Sequence, residues 1–291
     1  MILAGLAFVS CASNAASAEE YFSIGMAYFD LGKFTEAEQW LTRASQADRT
    51  QTASAYNLGR IAFETGRYHE AAVHFEKVLA RDPNNVMALK AAAYTRIRTG
   101  DLEMAETFYS RVLSLVPESS DDGYNYAIVL YAVGKYENCE RVLLNYSHAL
   151  DDKPDSLLLL ARAQKAQNRI EAIDNYAKWI AGNTASNPRV FHEYGQALEN
   201  AQLYAMALEQ YRQSLSSFRE DLPDLKRGQV QFDVARLLLI ADPGNPEGIV
   251  ALRNAVSAGF NNRELLEDLY NDSRIDSEQR NEVWEIYAGL S

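Results

Sequence analysis

The 291-residue sequence has few of the residues on which many specialised folds depend. Its two cysteines are too few for a disulfide framework or a structural zinc site. Seven prolines and 15 glycines are too few for a protein rich in β-turns. The 28 Lys and Arg residues are outnumbered by 40 Asp and Glu, and the resulting net charge of −12 argues against binding to duplex nucleic acid. The 47% hydrophobic and 23% charged residues exclude both a disordered chain and a membrane bundle.

The N-terminus contains no charged side chain before Glu19. The apolar run from Ile2 to Ser10 is far shorter than the roughly twenty residues that span a bilayer, and it is similar to the hydrophobic region of a secretory signal. The basic start expected of such a signal is missing after Met1. We predict that residues 1–18 are a signal peptide, or a lipoprotein signal with a short tether.

Two processing sites compete within this segment. The tetrapeptide Phe8-Val9-Ser10-Cys11 resembles a bacterial lipobox, which implies lipidation of Cys11, although Phe8 departs from the usual aliphatic residue. The tripeptide Ala16-Ser17-Ala18 instead fits the small-x-small site of an ordinary signal peptidase. An N-terminal extension on a cytosolic protein is the third possibility.

A period of 34 residues organises the chain after this segment. Apolar residues at helical spacing, such as Leu58 and Ala62 and then Ala71 and Phe75, predict two helices in each period. A glycine between them ends the first helix, because glycine adopts the left-handed conformation without a Cβ clash. Small residues precede each glycine by seven positions and follow it by five. The turn glycines are Gly32, Gly66, Gly100 and Gly134. The small residues before them are Gly25, Gly59, Ala93 and Ala127, and those after them are Ala37, Ala71, Ala105 and Cys139.

This pattern resembles the tetratricopeptide repeat, whose units contain W-x2-L-G-x2-Y, A-x3-F and a closing proline. The first unit has Tyr21-x2-Ile24-Gly25-x2-Tyr28 and Ala37-x3-Leu41, and the second has Leu58-Gly59, Ala71-x3-Phe75 and Pro83. The resemblance implies an all-α superhelical solenoid of antiparallel helix pairs with a helical C-terminal cap. Each unit would bury its apolar faces against its neighbours.

The repeats become irregular along the chain, which divides it into segments. We predict four regular repeats across residues 19–153, two irregular repeats across 154–221, and a degenerate helix pair with the C-terminal cap across 222–291. In the fifth repeat Asn168 replaces the glycine. From Asn262 to Ser291 there are three arginines and eight acidic residues, and an acidic outer face suits a terminal cap.

Residues that typically carry catalysis or bind metals are sparse. The four histidines lack the spacing of metal ligands and are interpreted as solvent-facing; they are His69, His74, His148 and His192. Cys139 stands where other repeats have alanine, so we expect a small buried residue rather than a nucleophile. The paired carboxylates Asp121-Asp122 and Asp151-Asp152 are expected to cap helices. We predict no enzyme, no metal and no cofactor.

The resemblance implies that the first helices of the repeats line a concave surface. A stripe on these helices at i, i+4 and i+7 combines aromatic and basic side chains, which binding hot spots favour. We predict a ligand groove formed by Phe22, Met26, Phe29, Tyr56, Arg60, Phe63, Lys90, Tyr94, Arg98, Tyr124, Tyr131, Arg162 and Lys165. The alternative is that these rings pack between neighbouring repeats. The Lys-Asn-Arg carboxylate clamp of one branch of the family is incomplete in every register.

These features together predict a non-catalytic scaffold that binds a peptide or protein segment in its groove. We predict an exported bacterial protein that is periplasmic or anchored to the membrane by lipid, with no other membrane contact and no nucleic acid partner. A cytosolic adaptor is one alternative. A structural spacer in an envelope complex, which would use its ends or convex side, is the other. The partner and the oligomeric state stay open.

Overall fold

The computed structural model describes residues 17–150, 153–183, 187–220 and 222–290. Residues 1–16 of the predicted signal segment, including Cys11, are therefore outside the described residues, and their processing stays a prediction. Within the described ranges the regular elements are helices, beside one isolated bridge between Leu222 and Leu225. The chain forms two compact units: the first ends at Val133 and the second begins at Gly134.

The first unit is a series of helices that pack as consecutive antiparallel pairs, α1 with α2, α3 with α4 and α5 with α6. Its described helices are α1 (Ala18–Asp30), α2 (Phe34–Ala47), α3 (Thr52–Glu64), α4 (Tyr68–Leu79), α5 (Val86–Thr99), α6 (Leu102–Leu115) and α7 (Ser120–Ala132). Each pair also packs on the next one through α2 and α3, α4 and α5, and α6 and α7. The predicted all-α solenoid of helix pairs is confirmed.

The turn inside each pair has the predicted left-handed residue. Gly32, Gly66 and Gly100 have φ angles of 71°, 77° and 80°. In the fifth repeat Asn168 takes the same conformation with a φ of 55°, which asparagine tolerates better than most residues. The irregular repeat therefore keeps the turn geometry without the glycine.

Small residues lie where the two helices of a pair cross closely. A Cβ atom added to Gly25 would lie 2.7 Å from the Leu41 side chain, and one added to Gly59 would lie 2.7 Å from the Phe75 ring. Ala71 and Ala105 are completely buried on the facing helices. Cys139 is also buried, and burial raises the pKa of its thiol to about 12, which keeps it protonated at neutral pH.

The first helix begins within the predicted signal segment. Ser17 is the N-cap of α1: its hydroxyl accepts a bond from the Glu20 amide at 3.2 Å, and its own amide donates to the Glu20 carboxylate at 2.6 Å. This reciprocal capping box satisfies two amide groups that a helix start otherwise leaves unpaired. Ser17 is therefore the cap of α1 and Ala18 its first residue, and the predicted boundary of the signal segment after residue 18 stays a prediction.

The second unit also contains helix pairs and ends in two helices that pack on each other. Its described helices are α8 (Tyr136–Asn145), α9 (Ser147–Leu150), α10 (Pro154–Ala166), α11 (Glu171–Gly182), α12 (Pro188–Asn200), α13 (Tyr204–Ser217), α14 (Arg227–Ala241), α15 (Pro246–Ser257), α16 (Arg263–Asn271) and α17 (Ser277–Ala288). Large buried side chains such as Tyr176, Tyr211 and Phe232 fill its core. Helix α17 packs on both α16 and α15, as a terminal cap should.

The interpretation of His192 as solvent-facing is wrong. Its side chain is buried on α12, and its Nε2 lies 2.8 Å from a carboxylate oxygen of Asp233 on α14. The two residues are 41 positions apart, so no local pattern indicates the pair. His69 and His148 are exposed as expected, whereas His74 is half-buried and its pKa is lowered mainly by burial.

The interpretation of Asp122 as a helix cap is also wrong. Asp122 lies inside the first turn of α7 and is only 1% exposed. Its carboxylate is 2.7 Å from the Lys90 ammonium of α5 and accepts a hydroxyl bond from Ser119 at 2.6 Å. A buried carboxylate needs such partners, and the neighbouring repeat supplies one of them.

Candidate functional site

An open pocket of about 390 Å³ lies on the face of α3 between the first and third repeats of the first unit. Its lining combines apolar side chains, two amides and a single cation. The lining residues are Met26, Thr52, Ala53, Tyr56, Asn57, Arg60, Val78, Asn85 and Met87. The pocket is wide enough for an aliphatic or aromatic side chain of a ligand.

A second, smaller pocket of about 110 Å³ adjoins the first one along α3. Arg60, Phe63, Glu64, Phe75, Ala91 and Tyr94 line it. Arg60 is common to both pockets, so the two form one surface centred on this guanidinium. We call this surface the α3 groove.

The Arg60 side chain is held in place by neighbours that do not neutralise its charge. Its guanidinium lies 4.3 Å from the centroid of the Phe29 ring and donates a 3.0 Å bond to the Asn57 side chain. The Asn57 amide in turn donates to the Ala53 carbonyl at 2.9 Å, one helical turn earlier. Within the described residues Arg60 has no ion pair with a carboxylate. It is thus an oriented cation with donors available to an acidic ligand group.

The aromatic residues of the predicted stripe divide into two groups. Tyr94 is 49% exposed and its ring lies 5.3 Å from that of Phe63. The other rings and Met26 are half-buried, and several of them pack against core clusters shared by two neighbouring repeats: Phe22, Met26, Phe29, Tyr56, Phe63, Tyr124 and Tyr131. The half-buried rings therefore also stabilise the core, and Tyr94 is the most exposed ring of the stripe.

Two of the predicted basic residues in the first unit are committed to internal contacts. Lys90 is bonded to the buried Asp122, and Arg98 lies 4.8 Å over the Tyr68 ring while donating to its hydroxyl at 2.6 Å. Burial, with Asp122 and Tyr94 nearby, raises the pKa of Tyr109 to about 12. Lys90 is therefore neutralised, whereas Arg98 keeps its charge but lines neither pocket of the α3 groove, which leaves Arg60 as the cation of this surface.

In the second unit the two predicted basic residues are also bonded. Arg162 lies 2.8 Å from the Glu193 carboxylate, and Lys165 donates to the Gln196 side chain at 2.7 Å. Burial lowers the pKa of Lys165, because a desolvated ammonium is disfavoured. These residues form a polar surface on α10 and α12 rather than an apolar pocket.

The sequence argument missed several residues of the α3 groove. Met87 is 63% exposed and lies three positions before Lys90 on α5, so extension of the stripe by one helical turn would have found it. Thr52 and Asn85 begin or cap their helices, where polar residues are expected for structural reasons alone. No pattern in the sequence distinguishes such a residue from an ordinary cap.

Neither metal chemistry nor a membrane span is indicated by the described part of the chain. No group of three or more His, Cys, Asp or Glu side chains there lies close enough together to hold a metal ion. None of the helices there has both the length and the apolar character needed to cross a bilayer.

Family models of the tetratricopeptide repeat match residues 15–84 and 62–122. Among solved structures, a tetratricopeptide repeat protein from Parabacteroides merdae superposes with a TM-score of 0.56 at 17% identity, covering 87% of this chain and 96% of that one. YrrB, a tetratricopeptide protein with an unusual peptide-binding site, has a TM-score of 0.56 at 14% identity, covering 61% and 91%. At these identities the likeness shows the fold, which is one used by protein-interaction scaffolds.

Two curated bacterial proteins are similar in sequence. Cellulose synthase 1 operon protein C from Komagataeibacter xylinus is 25% identical over 235 residues, which are 72% of this chain but 16% of that protein. An uncharacterized lipoprotein from Treponema pallidum is 23% identical over 153 residues, covering 53% of this chain and 78% of the lipoprotein. The chain therefore spans a small part of the first relative and most of the second.

Proposed function

Because the chain is a tetratricopeptide repeat protein, we propose that it is a non-catalytic scaffold that binds a segment of another protein in the α3 groove. The observation that carries this proposal is the position of Arg60 between two pockets, without a carboxylate partner among the described residues. The exposed Tyr94 ring at one end and Met87 at the other provide apolar contact area. The ligand segment therefore combines apolar or aromatic anchors with at least one carboxylate.

The anchors and the charge contribute differently to binding. Rings and thioethers that lose contact with water supply most of the affinity. The Arg60 charge attracts and orients the acidic group, and its effect weakens as salt is raised. A ligand with anchors but no carboxylate should bind with less selectivity for its orientation.

Replacement of Tyr94 by alanine is expected to weaken binding by about 2 kcal/mol, because the exposed ring is the anchor contact of the small pocket. Peptides selected from a random library against the native protein provide the ligands, and calorimetry measures their affinities. The Arg60→Gln variant should bind these peptides with a slower association rate than the native protein at low salt, and the difference should disappear at high salt.

The matched control is Val73→Ala on α4, which removes an exposed apolar side chain that lines neither pocket. This variant should retain the affinity of the native protein. If folded Tyr94→Ala, Tyr56→Ala and Arg60→Gln all bind the selected peptides as tightly as the native protein, the groove is not the binding surface, and the spacer alternative gains support.

We further propose that the protein is exported and acylated at Cys11. The uncharged segment before Glu19 and the similarity to a lipoprotein support this proposal. The capping box supports Cys11 over the later site, because cleavage after Ala18 would remove the Ser17 hydroxyl that caps α1. Cleavage before Cys11 leaves this cap intact.

Mass spectrometry of the native protein should find an N-terminal Cys11 that carries lipid. The Cys11→Ala variant should lose the lipid and leave the membrane fraction, while its helical content stays unchanged. A mature N-terminus at Glu19 without lipid would overturn acylation and retain export. An unmodified Met1 in the cytosolic fraction would favour the cytosolic adaptor.

A further inference from the structure

The C-terminal cap carries a cluster of aromatic rings in which the exposed Trp284 lies between two partly buried tyrosines. Tyr270 of α16 lies 5.2 Å from Trp284 of α17, and Trp284 lies 5.3 Å from Tyr287. Trp284 is 48% exposed although it is the largest side chain in the cap. We call these three rings the cap platform. The platform belongs to the second unit and is separate from the residues of the α3 groove.

The arginines of the cap are all engaged in contacts within the cap. Arg263 lies 4.6 Å over the Tyr287 ring and donates to the Leu290 carbonyl. Arg274 is paired with Asp272 at 2.6 Å, and Arg280 donates to two backbone carbonyls at 2.9 and 3.2 Å. Arg274 is thus neutralised by a carboxylate, whereas Arg263 and Arg280 contact a ring and backbone carbonyls and keep their charge.

Most of the carboxylates of the cap have no such partner. Asp272 is paired with Arg274, Asp276 caps α17, and Glu282 lies 3.2 Å from Arg253. The others are exposed and form no ion pair within the described residues: Glu264, Glu267, Asp268, Glu278 and Glu285. Glu267 lies one turn before Tyr270 on the same helix, and Glu285 directly follows Trp284. These five exposed carboxylates outnumber the two arginines that keep their charge, so the cap that holds the platform is net negative.

We propose that the cap platform docks a basic segment of a partner protein, with an arginine or lysine over the Trp284 ring. The face of an aromatic ring attracts a cation, and tryptophan does so most strongly. The carboxylates of the cap add a negative potential, which also attracts a cation and speeds the encounter. An acidic ligand, which suits Arg60 in the α3 groove, is repelled here. The two surfaces therefore select segments of opposite charge.

The first test uses an octapeptide of alternating arginine and leucine, with an octapeptide of alternating glutamate and leucine as its counterpart. Calorimetry on the native protein should detect the basic peptide, whereas any binding of the acidic one should come from the α3 groove and persist in Trp284→Ala. Trp284→Ala should weaken binding on the order of tenfold, because the ring is the central contact. Tyr94→Ala, which removes an exposed ring of the α3 groove, should leave this affinity unchanged.

A charge reversal keeps the test informative if Trp284→Ala does not fold. The double variant Glu267→Lys/Glu285→Lys leaves the rings in place and should also weaken binding on the order of tenfold at low salt. Its matched control, Glu103→Lys/Glu118→Lys, changes the net charge equally at exposed positions of the first unit.

Equal weakening by the two double variants would mean attraction to the whole acidic protein and would overturn the proposal. Weakening by Tyr94→Ala alone would move the basic peptide to the α3 groove and would also overturn it. Neither result decides the α3 groove proposal, which is tested with the peptides selected from the random library.

Discussion

Replacement of Arg236 by alanine is expected to destabilise the second unit by about 3 kcal/mol, because the change breaks a largely buried charge network. Arg236 on α14 donates two bonds to the Glu199 carboxylate on α12 and lies 3.5 Å from Asp233. Burial alone would lower the pKa of Arg236, but the bonds with Glu199 outweigh it and the pKa is raised. Thermal and urea unfolding followed by circular dichroism measure the loss.

The size of this effect follows from the carboxylates that the variant would leave without their cation. Glu199 also accepts a bond from the Tyr211 hydroxyl at 2.8 Å, and Asp233 is bonded to His192. These bonds join α12, α13 and α14, so the network links two consecutive helix pairs. Removal of its central cation leaves two poorly solvated carboxylates near each other.

The control for this experiment is Arg253→Ala. Arg253 forms a 3.2 Å ion pair with Glu282 between α15 and α17, but both side chains are largely exposed. Such pairs contribute about 0–1 kcal/mol. If Arg236→Ala and Arg253→Ala lower the midpoint of urea unfolding by the same amount, the buried network has no special role in stability.

Introduction of leucine at the close helix crossings should destabilise the first unit. Ala71 on α4 and Ala105 on α6 are completely buried, and each faces the preceding helix of its pair. Additional side-chain atoms there must push the helices apart, which typically costs about 1–3 kcal/mol. Ala71→Leu and Ala105→Leu should each lower the melting temperature while the native state stays helical.

The same substitution at an exposed position separates packing from helix propensity. Ala27 lies on the exposed side of α1, and leucine has nearly the helix propensity of alanine. Ala27→Leu should therefore unfold at the temperature of the native protein. Unchanged melting temperatures in Ala71→Leu and Ala105→Leu would mean that these sites can expand and that the crossings do not require small residues.

The repeat architecture was predictable because each of its signals acts within one helix pair. A glycine such as Gly66 marks a left-handed turn, and Gly59 and Ala71 mark a close crossing, whatever lies elsewhere in the chain. The turn at Asn168 shows that the conformation, rather than the glycine, is the requirement. The 34-residue period repeats these local requirements, and it is therefore visible without a structure.

The candidate groove was only partly predictable, because helical spacing does not distinguish a ring that faces solvent from one that packs against the next repeat. Phe29 and Tyr94 both belong to the predicted stripe, yet Phe29 packs on the core beneath Arg60 and Tyr94 is half exposed. Whether a cation is available is equally invisible, since Lys90 is neutralised by a carboxylate from a neighbouring repeat.

Contacts between distant residues account for everything else that the sequence did not reveal. The acidic character of the cap can be counted from the sequence, but the cap platform exists because Tyr270 and Trp284 come from two helices that pack together. The network of His192, Asp233 and Arg236 likewise joins helices from separate repeats. Charge balance and burial depend on which side chains fold against each other, and a pattern within one repeat carries no information about partners from the next.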